Sequence, residues 1–331
     1  MDQVLYYAST LIVFFFIFNI LTWGLNIQFG YTGILNFTYI TFFAAGAYFT
    51  GVANLGKPTA ESHQLYILGL GWNFLPSLLL GGAVAGVLGL LVGLVALYRL
   101  RSDFLAIVTV GIGTIAFDLV SNFRPLFNGQ DGISGLDFPF NSVLNLDPNT
   151  YTFFYIGFAG VVMLILWYVA HRIDVSPLGR TLRAIREDVD VAEAFGKNTY
   201  RFRMIAMVVG CVYAGIAGGL LIGFISSLNP SGWTTGETFI IWAALLLGGR
   251  GNNLGAVLGA LLVPVVFNEA TRFLPPISSN PELVPALRNV IVGALLIAVL
   301  FFRPQGLLPE RRRRFYEVPT SVSPRSVEHV P

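Results

Sequence analysis

One stretch of the chain, from Gln3 to Gly56, carries no charged side chain. As a single helix these 54 residues would be roughly 80 Å long, against a bilayer hydrocarbon core of about 30 Å. The stretch therefore predicts two membrane crossings, divided where polar and glycine residues cluster between Asn26 and Gly33. Over all 331 residues, 55% are hydrophobic and 11% are charged, whereas soluble domains carry roughly 25% charge. We predict an all-α, polytopic membrane helix bundle.

Apolar runs along the whole chain predict about nine transmembrane helices, or eight to ten if the second or the seventh is re-entrant. The predicted spans are residues 4–25, 32–53, 74–98, 103–121, 151–170, 203–226, 236–249, 252–269 and 284–302. Residues 1–302 are expected to form the transmembrane domain. The arginine-rich residues 303–331 are expected to form a disordered, basic cytosolic tail.

The distribution of basic residues predicts the orientation of these spans. If the charged loop 172–203 is cytosolic, nine crossings place 16 Lys and Arg residues inside and four outside. Cytoplasmic loops carry such an excess of basic residues. We therefore expect the N-terminus outside and the C-terminus inside.

The loop 172–203 holds 12 of the 38 charged residues of the chain and predicts an amphipathic helix. At about 100° per residue, one arc of that helix carries Arg183, Arg186, Glu187, Asp190 and Glu193. An adjacent arc carries Leu182, Ile185, Val189 and Ala192. Gly196 is placed to end the helix in a left-handed cap. The helix could lie passively in the membrane interface or fill a groove on a soluble partner. The acids slightly favour a partner, because anionic lipid would repel them.

Residues 179–204 resemble the cytoplasmic coupling loop of ABC transporter permeases for branched-chain amino acids, the LivM-type subunits. The residues are GRTLRAIREDVDVAEAFGKNTYRFRM. Further matching stretches are GYTGILNFTYITFFAAGAY (30–48), DFLAIVTVGIGTI (103–115), LLLGGRGNNLGAVLGA (245–260) and FFRPQGLLP (301–309). The glycine-rich external loop of the family is similar to NGQDGISGL (128–136).

The resemblance implies a larger-bundle, type II-like importer permease in the bacterial inner (plasma) membrane. It implies a second homologous permease, two ABC ATPase subunits and a periplasmic or lipid-anchored solute-binding protein as partners. The chain would import branched-chain or other neutral amino acids, with urea or short amides as an alternative. It would bind no cofactor itself, and ATP and Mg²⁺ would bind the partner subunits. The sequence is consistent with ATP binding on the partners, since it has no GxxxxGK[ST] phosphate loop.

The same resemblance assigns roles within the predicted coupling helix. The apolar anchors that would fill a groove of the ATPase are Leu182, Ile185, Val189 and Phe195. The charges that would set the register at the rim of that groove are Arg183, Arg186, Glu187 and Glu193.

Two stretches are predicted to interrupt helices within the membrane and are candidates for the substrate pathway. The candidate residues are Gly30, Gly33, Asn36, Gly249, Asn252 and Asn253. Broken helices offer free N–H groups to a carboxylate and free C=O groups to an ammonium group. The alternative is that both breaks are short cytosolic turns between consecutive spans.

Other classes of function have little support. One cysteine and three widely separated histidines predict no disulfide, metal site or catalytic site, and no segment predicts a nucleic-acid partner. A secondary transporter driven by an ion gradient is the alternative of another class. It would require acids near mid-membrane, whereas Asp118, Glu237 and Glu269 lie near the external ends of their predicted spans.

Overall fold

The structure is a computed structural model that describes residues 3–58, 63–99, 102–136, 138–140, 147–267, 270 and 283–310. The described residues are mostly helical. The helices are α1 (Gln3–Leu25), α2 (Tyr39–Asn54), α3 (Phe74–Arg99), α4 (Ser102–Asn122), α5 (Arg124–Phe127), α6 (Pro148–Val175), α7 (Pro177–Glu187), α8 (Val189–Ala194), α9 (Thr199–Ile225), α10 (Thr235–Gly248), α11 (Asn253–Ala260) and α12 (Leu283–Phe302). Two strands, β1 (Ile133–Ser134) and β2 (Ser227–Leu228), pair antiparallel.

Two of the helices continue as π-helical turns. One follows α1 over Asn26–Gly30, and the other follows α11 over Leu261–Phe267. Pro264 lies inside the second turn, where its missing N–H prevents a regular α-helical hydrogen bond. Helices α1 to α4, α6 and α9 to α12 each overlap one of the spans predicted from the sequence.

Five helical segments of the described residues are long and apolar enough to cross a membrane. They are Tyr7–Gly30, Phe74–Tyr98, Phe104–Asn122, Thr150–Val175 and Thr199–Ile225. Shorter apolar helices cover Asn253–Phe267 and Asn289–Phe302. The long, apolar helices bear out the prediction of a polytopic membrane protein.

Helix α9 is the most buried of the five and forms the centre of the bundle. It packs closely against α2, because a Cβ atom on Gly218 would collide with the carbonyl oxygen of Phe43 and lie 2.9 Å from the Ala47 nitrogen. Several glycines of α3 also face α9; Gly86, for example, lies against Val212. Small residues therefore allow these backbones to approach closely.

Helix α2 begins at Tyr39 rather than at residue 32, because residues 33–38 are irregular. Gly33 adopts a φ of +72°, and the Thr38 N–H donates to Asn36 Oδ1 at 3.0 Å. The Phe37 N–H donates to Thr109 Oγ1 of α4 at 3.1 Å. Irregular backbone inside a bundle is tolerated when other parts of the protein satisfy its polar groups, and these bonds satisfy the N–H groups of Phe37 and Thr38.

The described part of the predicted tail, residues 303–310, packs against the bundle after the last helix ends at Phe302. The N–H groups of Leu307 and Leu308 donate to the carbonyl oxygens of Leu247 and Gly248, at 2.8 Å and 3.0 Å. These carbonyl groups lie at the end of α10, where no later turn of the helix can use them. Residues 311–331, which carry the four consecutive arginines, lie outside the described residues.

Candidate functional site

The start of α7 is fixed by Ser176 and Pro177. Ser176 Oγ accepts a hydrogen bond from the Gly179 N–H at 3.2 Å, and Pro177 occupies the first turn, where no N–H donor is needed. A Cβ atom on Gly179 would collide with the carbonyl oxygen of Ile173. The chain therefore turns tightly from α6 into α7.

The predicted amphipathic helix is divided at Asp188, so the prediction of one continuous helix is wrong. Asp188 is extended, with φ −156° and ψ 116°, and its Oδ1 accepts from the Val191 N–H at 3.0 Å. Asp188 therefore caps α8 instead of continuing α7, because its side chain competes with the helical backbone for hydrogen bonds. The lone acid on the predicted apolar arc was the signal for this break.

The predicted role of Gly196 is confirmed. It has a φ of +73° and follows the last turn of α8. Its N–H donates to the Glu193 carbonyl oxygen at 2.8 Å, and the Lys197 N–H donates to the Ala192 carbonyl oxygen at 3.1 Å. This pair of bonds is a Schellman motif, which satisfies carbonyl groups at the end of a helix. Both ends of α8 are thus fixed.

The positions of Leu182 and Ile185 correct their assignment as groove-filling anchors. Each side chain is only 1% exposed, and Leu182 belongs to the main hydrophobic cluster of the bundle. An amphipathic pattern requires burial but does not specify the surface that provides it. In this structure the chain's own core buries both side chains, so they are not available to another protein.

Three exposed apolar residues lie on and just after α8 and are called the α8 patch: Val189, Val191 and Phe195. Their exposures are 38%, 51% and 79%. Two acids of the same turn, Asp190 and Glu193, are exposed beside them. Glu193 also accepts a hydrogen bond from Thr199 Oγ1, which connects α8 to the start of α9.

Arg183 and Arg186 point from α7 into the bundle rather than outward. Arg183 pairs with Asp174 at the end of α6, and its guanidinium carbon lies 4.8 Å from the centre of the Tyr31 ring. Arg186 donates to the Gly30 carbonyl oxygen at the end of the π-helical turn. These arginines therefore connect α7 to the first helix break instead of forming the rim of a partner's groove.

Both arginines also contact Glu310, the last described residue. Arg183 Nε lies 2.7 Å from Glu310 Oε1, an ion pair without the alignment of a hydrogen bond. Arg186 Nη2 donates to Glu310 Oε2 at 2.7 Å and to Glu187 Oε1 at 2.8 Å. Burial alone would lower the pKa of Arg186, but its bonds to Glu187 and Glu310 outweigh burial and raise that pKa. Arg186 therefore stays charged at physiological pH.

The two predicted helix breaks meet inside the fold. Asn253 Oδ1 accepts from Tyr31 OH at 2.9 Å and from Asn26 Nδ2 at 3.1 Å. The Gly251 N–H donates to Asn26 Oδ1 at 2.8 Å, and Trp23 Nε1 donates to the Asn253 carbonyl oxygen at 3.0 Å. These side chains are buried, so this polar network joins α1 to α11.

The other pathway candidates have structural partners as well. Asn36 is fully buried and donates to Gln28 Oε1 at 2.9 Å. Asn252 caps α11 and donates to the carbonyl oxygens of Leu308 and Pro309, at 3.3 Å and 3.2 Å. Gly249 has a φ of +124°, a conformation that favours glycine. A role of these residues in a substrate pathway stays a prediction.

The site residues that were not identified from the sequence include Asn26, Tyr31 and Glu310. Asn26 and Tyr31 lie beside the predicted glycine break, and their polarity within an uncharged stretch was an available signal. Glu310 gave no local signal, since it follows Pro309 in a segment assigned to a disordered tail. The described residues contain no group of three or more His, Cys, Asp or Glu that could hold a metal ion.

Comparisons with known proteins give a consistent result. A family model described as "Branched-chain amino acid transport system / permease component" matches residues 7–300. The chain is similar to the high-affinity branched-chain amino acid transport system permease protein LivM of Escherichia coli (strain K12). The two are 31% identical over 316 residues, covering 89% of this chain and 68% of the relative.

Two further relatives extend the comparison. A probable branched-chain amino acid transport permease protein LivM of Methanocaldococcus jannaschii is 26% identical over 338 residues, covering 92% of this chain and 93% of the relative. The high-affinity branched-chain amino acid transport system permease protein LivH of Salmonella typhimurium is 36% identical over 137 residues, covering 41% of each chain. No solved structure matches the chain significantly.

Proposed function

The chain belongs to the branched-chain amino acid transport permease family, and on this premise we propose that its α8 patch is the surface through which an ATPase subunit drives transport. The chain is a multi-pass membrane permease subunit of an ABC importer for amino acids. It is not an enzyme, since ATP is hydrolysed on separate subunits of such importers.

The exposure of Phe195 carries the docking proposal. Its side chain is 79% exposed at the end of a helix whose first turn is capped by Asp188 and whose last turn is closed by Gly196. A large aromatic side chain on a rigid turn is suited to anchor an interface, because little conformational entropy is lost on binding. The neighbouring acids, Asp190 and Glu193, would meet basic groups at the rim of the partner's groove.

The orientation and the span count belong to the same proposal. Among the described residues, nine helices overlap the predicted span positions. The basic residues of the sequence divide 16 to four between the two sides that nine crossings define. We therefore assign nine transmembrane segments, with the N-terminus outside and the α8 patch in the cytosol. The packing of Glu310 against α7 is consistent with a cytosolic C-terminal segment.

The proposed complex contains a second, homologous permease of the kind represented by the LivH relatives. Two ABC ATPase subunits would bind at the cytosolic face, and a solute-binding protein would deliver the solute from outside. ATP and Mg²⁺ would bind the ATPases and not this chain. The names of the relatives favour branched-chain amino acids as the solute, and other neutral amino acids are the next candidates.

Exchange of Phe195 tests the docking surface. Burying a phenylalanine at an interface is worth about 1.5–3 kcal/mol, so Phe195→Asp should weaken ATPase binding by roughly 10- to 150-fold. The measurement is the amount of ATPase that co-purifies with the tagged permease after co-expression. Ile185 is unsuitable for this test, because it is buried and Ile185→Asp would disturb the fold.

Phe123→Asp is a matched control, because Phe123 is also exposed, at 52%, and follows α4 far from α8 along the chain. This variant should retain the ATPase at the level of the unmodified permease. Equal retention by the Phe195→Asp variant would show that the α8 patch is not the docking surface.

A further inference from the structure

One carboxylate connects α7 to the turn between α10 and α11. The two oxygens of Glu310 contact different arginines of α7, with 2.7 Å from Oε1 to Arg183 Nε and 2.7 Å from Oε2 to Arg186 Nη2. The three side chains are between 15% and 24% exposed, so solvent screens these ion pairs only partly. We call this arrangement the Glu310 bridge.

Glu310 is held in place from the side of α10 and α11. Asn252 donates to the carbonyl oxygens of Leu308 and Pro309, the two residues before Glu310. A Cβ atom on Gly251 would lie 2.8 Å from Glu310 Oε2. The carboxylate therefore belongs structurally to the turn between α10 and α11, although Glu310 lies far along the chain from that turn.

The arginines of the bridge also reach α1. Arg186 donates to the Gly30 carbonyl oxygen, and Arg183 lies over the Tyr31 ring. Tyr31 in turn donates to Asn253, at the start of α11. Helix α7, the end of α1 and the turn between α10 and α11 thus share one connected set of polar contacts.

We infer that Glu310 is a positioning residue that makes α7, the end of α1 and the α10–α11 turn move as one body, so that displacement of the α8 patch reaches the membrane helices. This inference rests on the proposed docking of an ATPase at α8. The patch itself is not part of the bridge, so docking and transmission depend on different residues. Loss of the bridge should leave the ATPase bound while ATP hydrolysis no longer drives transport efficiently.

The structure also indicates that Glu310→Gln should fold. Without the carboxylate, Arg183 keeps its pair with Asp174, and Arg186 keeps Glu187 and the Gly30 carbonyl oxygen. The backbone bonds of Leu307 and Leu308 to α10 are unaffected. The variant therefore removes the ionic connection to α7 without removing the segment.

The test uses the complete importer with its binding protein in proteoliposomes, and [³H]leucine as the transported probe. Three quantities are measured for each variant: the amount of co-purified ATPase, the ATP hydrolysis rate, and the leucine transported per ATP hydrolysed. Glu310→Gln should retain the ATPase and lower leucine transport per ATP at least fivefold. Glu310→Asp keeps the charge and should recover part of that loss.

Asp118→Asn is a matched control, because it makes the same carboxylate-to-amide change at an exposed residue of α4. It should leave leucine transport per ATP unchanged. An unchanged ratio in Glu310→Gln would overturn the inference, and so would parallel loss of ATPase binding, because Glu310 would then only support the docking surface. Failure of the unmodified chain to co-purify any ATPase would instead refute the proposed function.

Discussion

Replacing Asn253 by alanine would test whether the contact between the two helix breaks stabilises the bundle. Asn253 Oδ1 accepts hydrogen bonds from Asn26 Nδ2 and Tyr31 OH, at 3.1 Å and 2.9 Å. The residue is only 8% exposed, so water would not readily replace the lost acceptor. The variant leaves two buried donors without their partner on α11.

The magnitude follows from these two donors. Leaving a buried donor unsatisfied costs about 1–3 kcal/mol. Part of that cost is offset. Asn253 Nδ2 is itself a buried donor without a hydrogen-bond partner among the described residues, and the substitution removes it. We expect a net loss of about 2–4 kcal/mol in the free energy of unfolding. At about 2 °C per kcal/mol for a large chain, the midpoint of thermal unfolding should fall by about 4–8 °C.

The chain contains a suitable reporter for this measurement. Cys211 is the single cysteine and is fully buried in α9. A maleimide dye that fluoresces on reaction with a thiol should label it only when the bundle opens. The midpoint of labelling against temperature, in detergent, then reports unfolding without any engineered probe.

A double-mutant cycle separates this interaction from general damage. Tyr31→Phe removes the hydroxyl group but keeps the ring beneath Arg183. In that background Asn253→Ala should cost less, by about 0.5–1.5 kcal/mol, because one of the two bonds is already absent. Additive effects of the two substitutions would refute the claim that this bond joins the breaks. Asn122→Ala, which removes an exposed amide that donates within α4, is the control and should change stability by less than about 0.5 kcal/mol.

Two more predictions concern the packing of α9 and the cap of α8. Gly218→Ala should lower the labelling midpoint of Cys211, because the added Cβ atom would collide with the Phe43 carbonyl oxygen at a cost of about 1–3 kcal/mol. Gly157→Ala is the control and should be neutral or stabilising, because nothing lies within 4 Å of the added Cβ atom. An equal loss in both variants would contradict the packing argument. Asp188→Ala should remove the cap of α8, worth about 1 kcal/mol, and reduce ATPase co-purification several-fold. Asp188→Ser keeps a capping side chain and should retain the ATPase. Equal retention by both variants would show that the cap does not matter for docking.

Much of the candidate site could be predicted from the sequence, but some side chains were assigned to the wrong surface. The location of the charged loop, the end of α8 at Gly196 and the apolar character of Leu182 and Ile185 were all evident in the sequence. The apolar pattern could not indicate whether the chain's own core or another protein buries these side chains, because both remove the same area from water. The structure assigns Leu182 and Ile185 to the core and leaves Phe195 exposed.

The sequence by itself determined the positions of the long apolar helices, because the length of an apolar run and the local chemistry of caps are properties of neighbouring residues. Only the tertiary structure decided that the two breaks meet and that Glu310 joins the second break to α7. Those contacts connect residues that are 227 and 124 positions apart, Asn26 with Asn253 and Arg186 with Glu310. Such pairings depend on how all the helices pack, and no local pattern of residues encodes them.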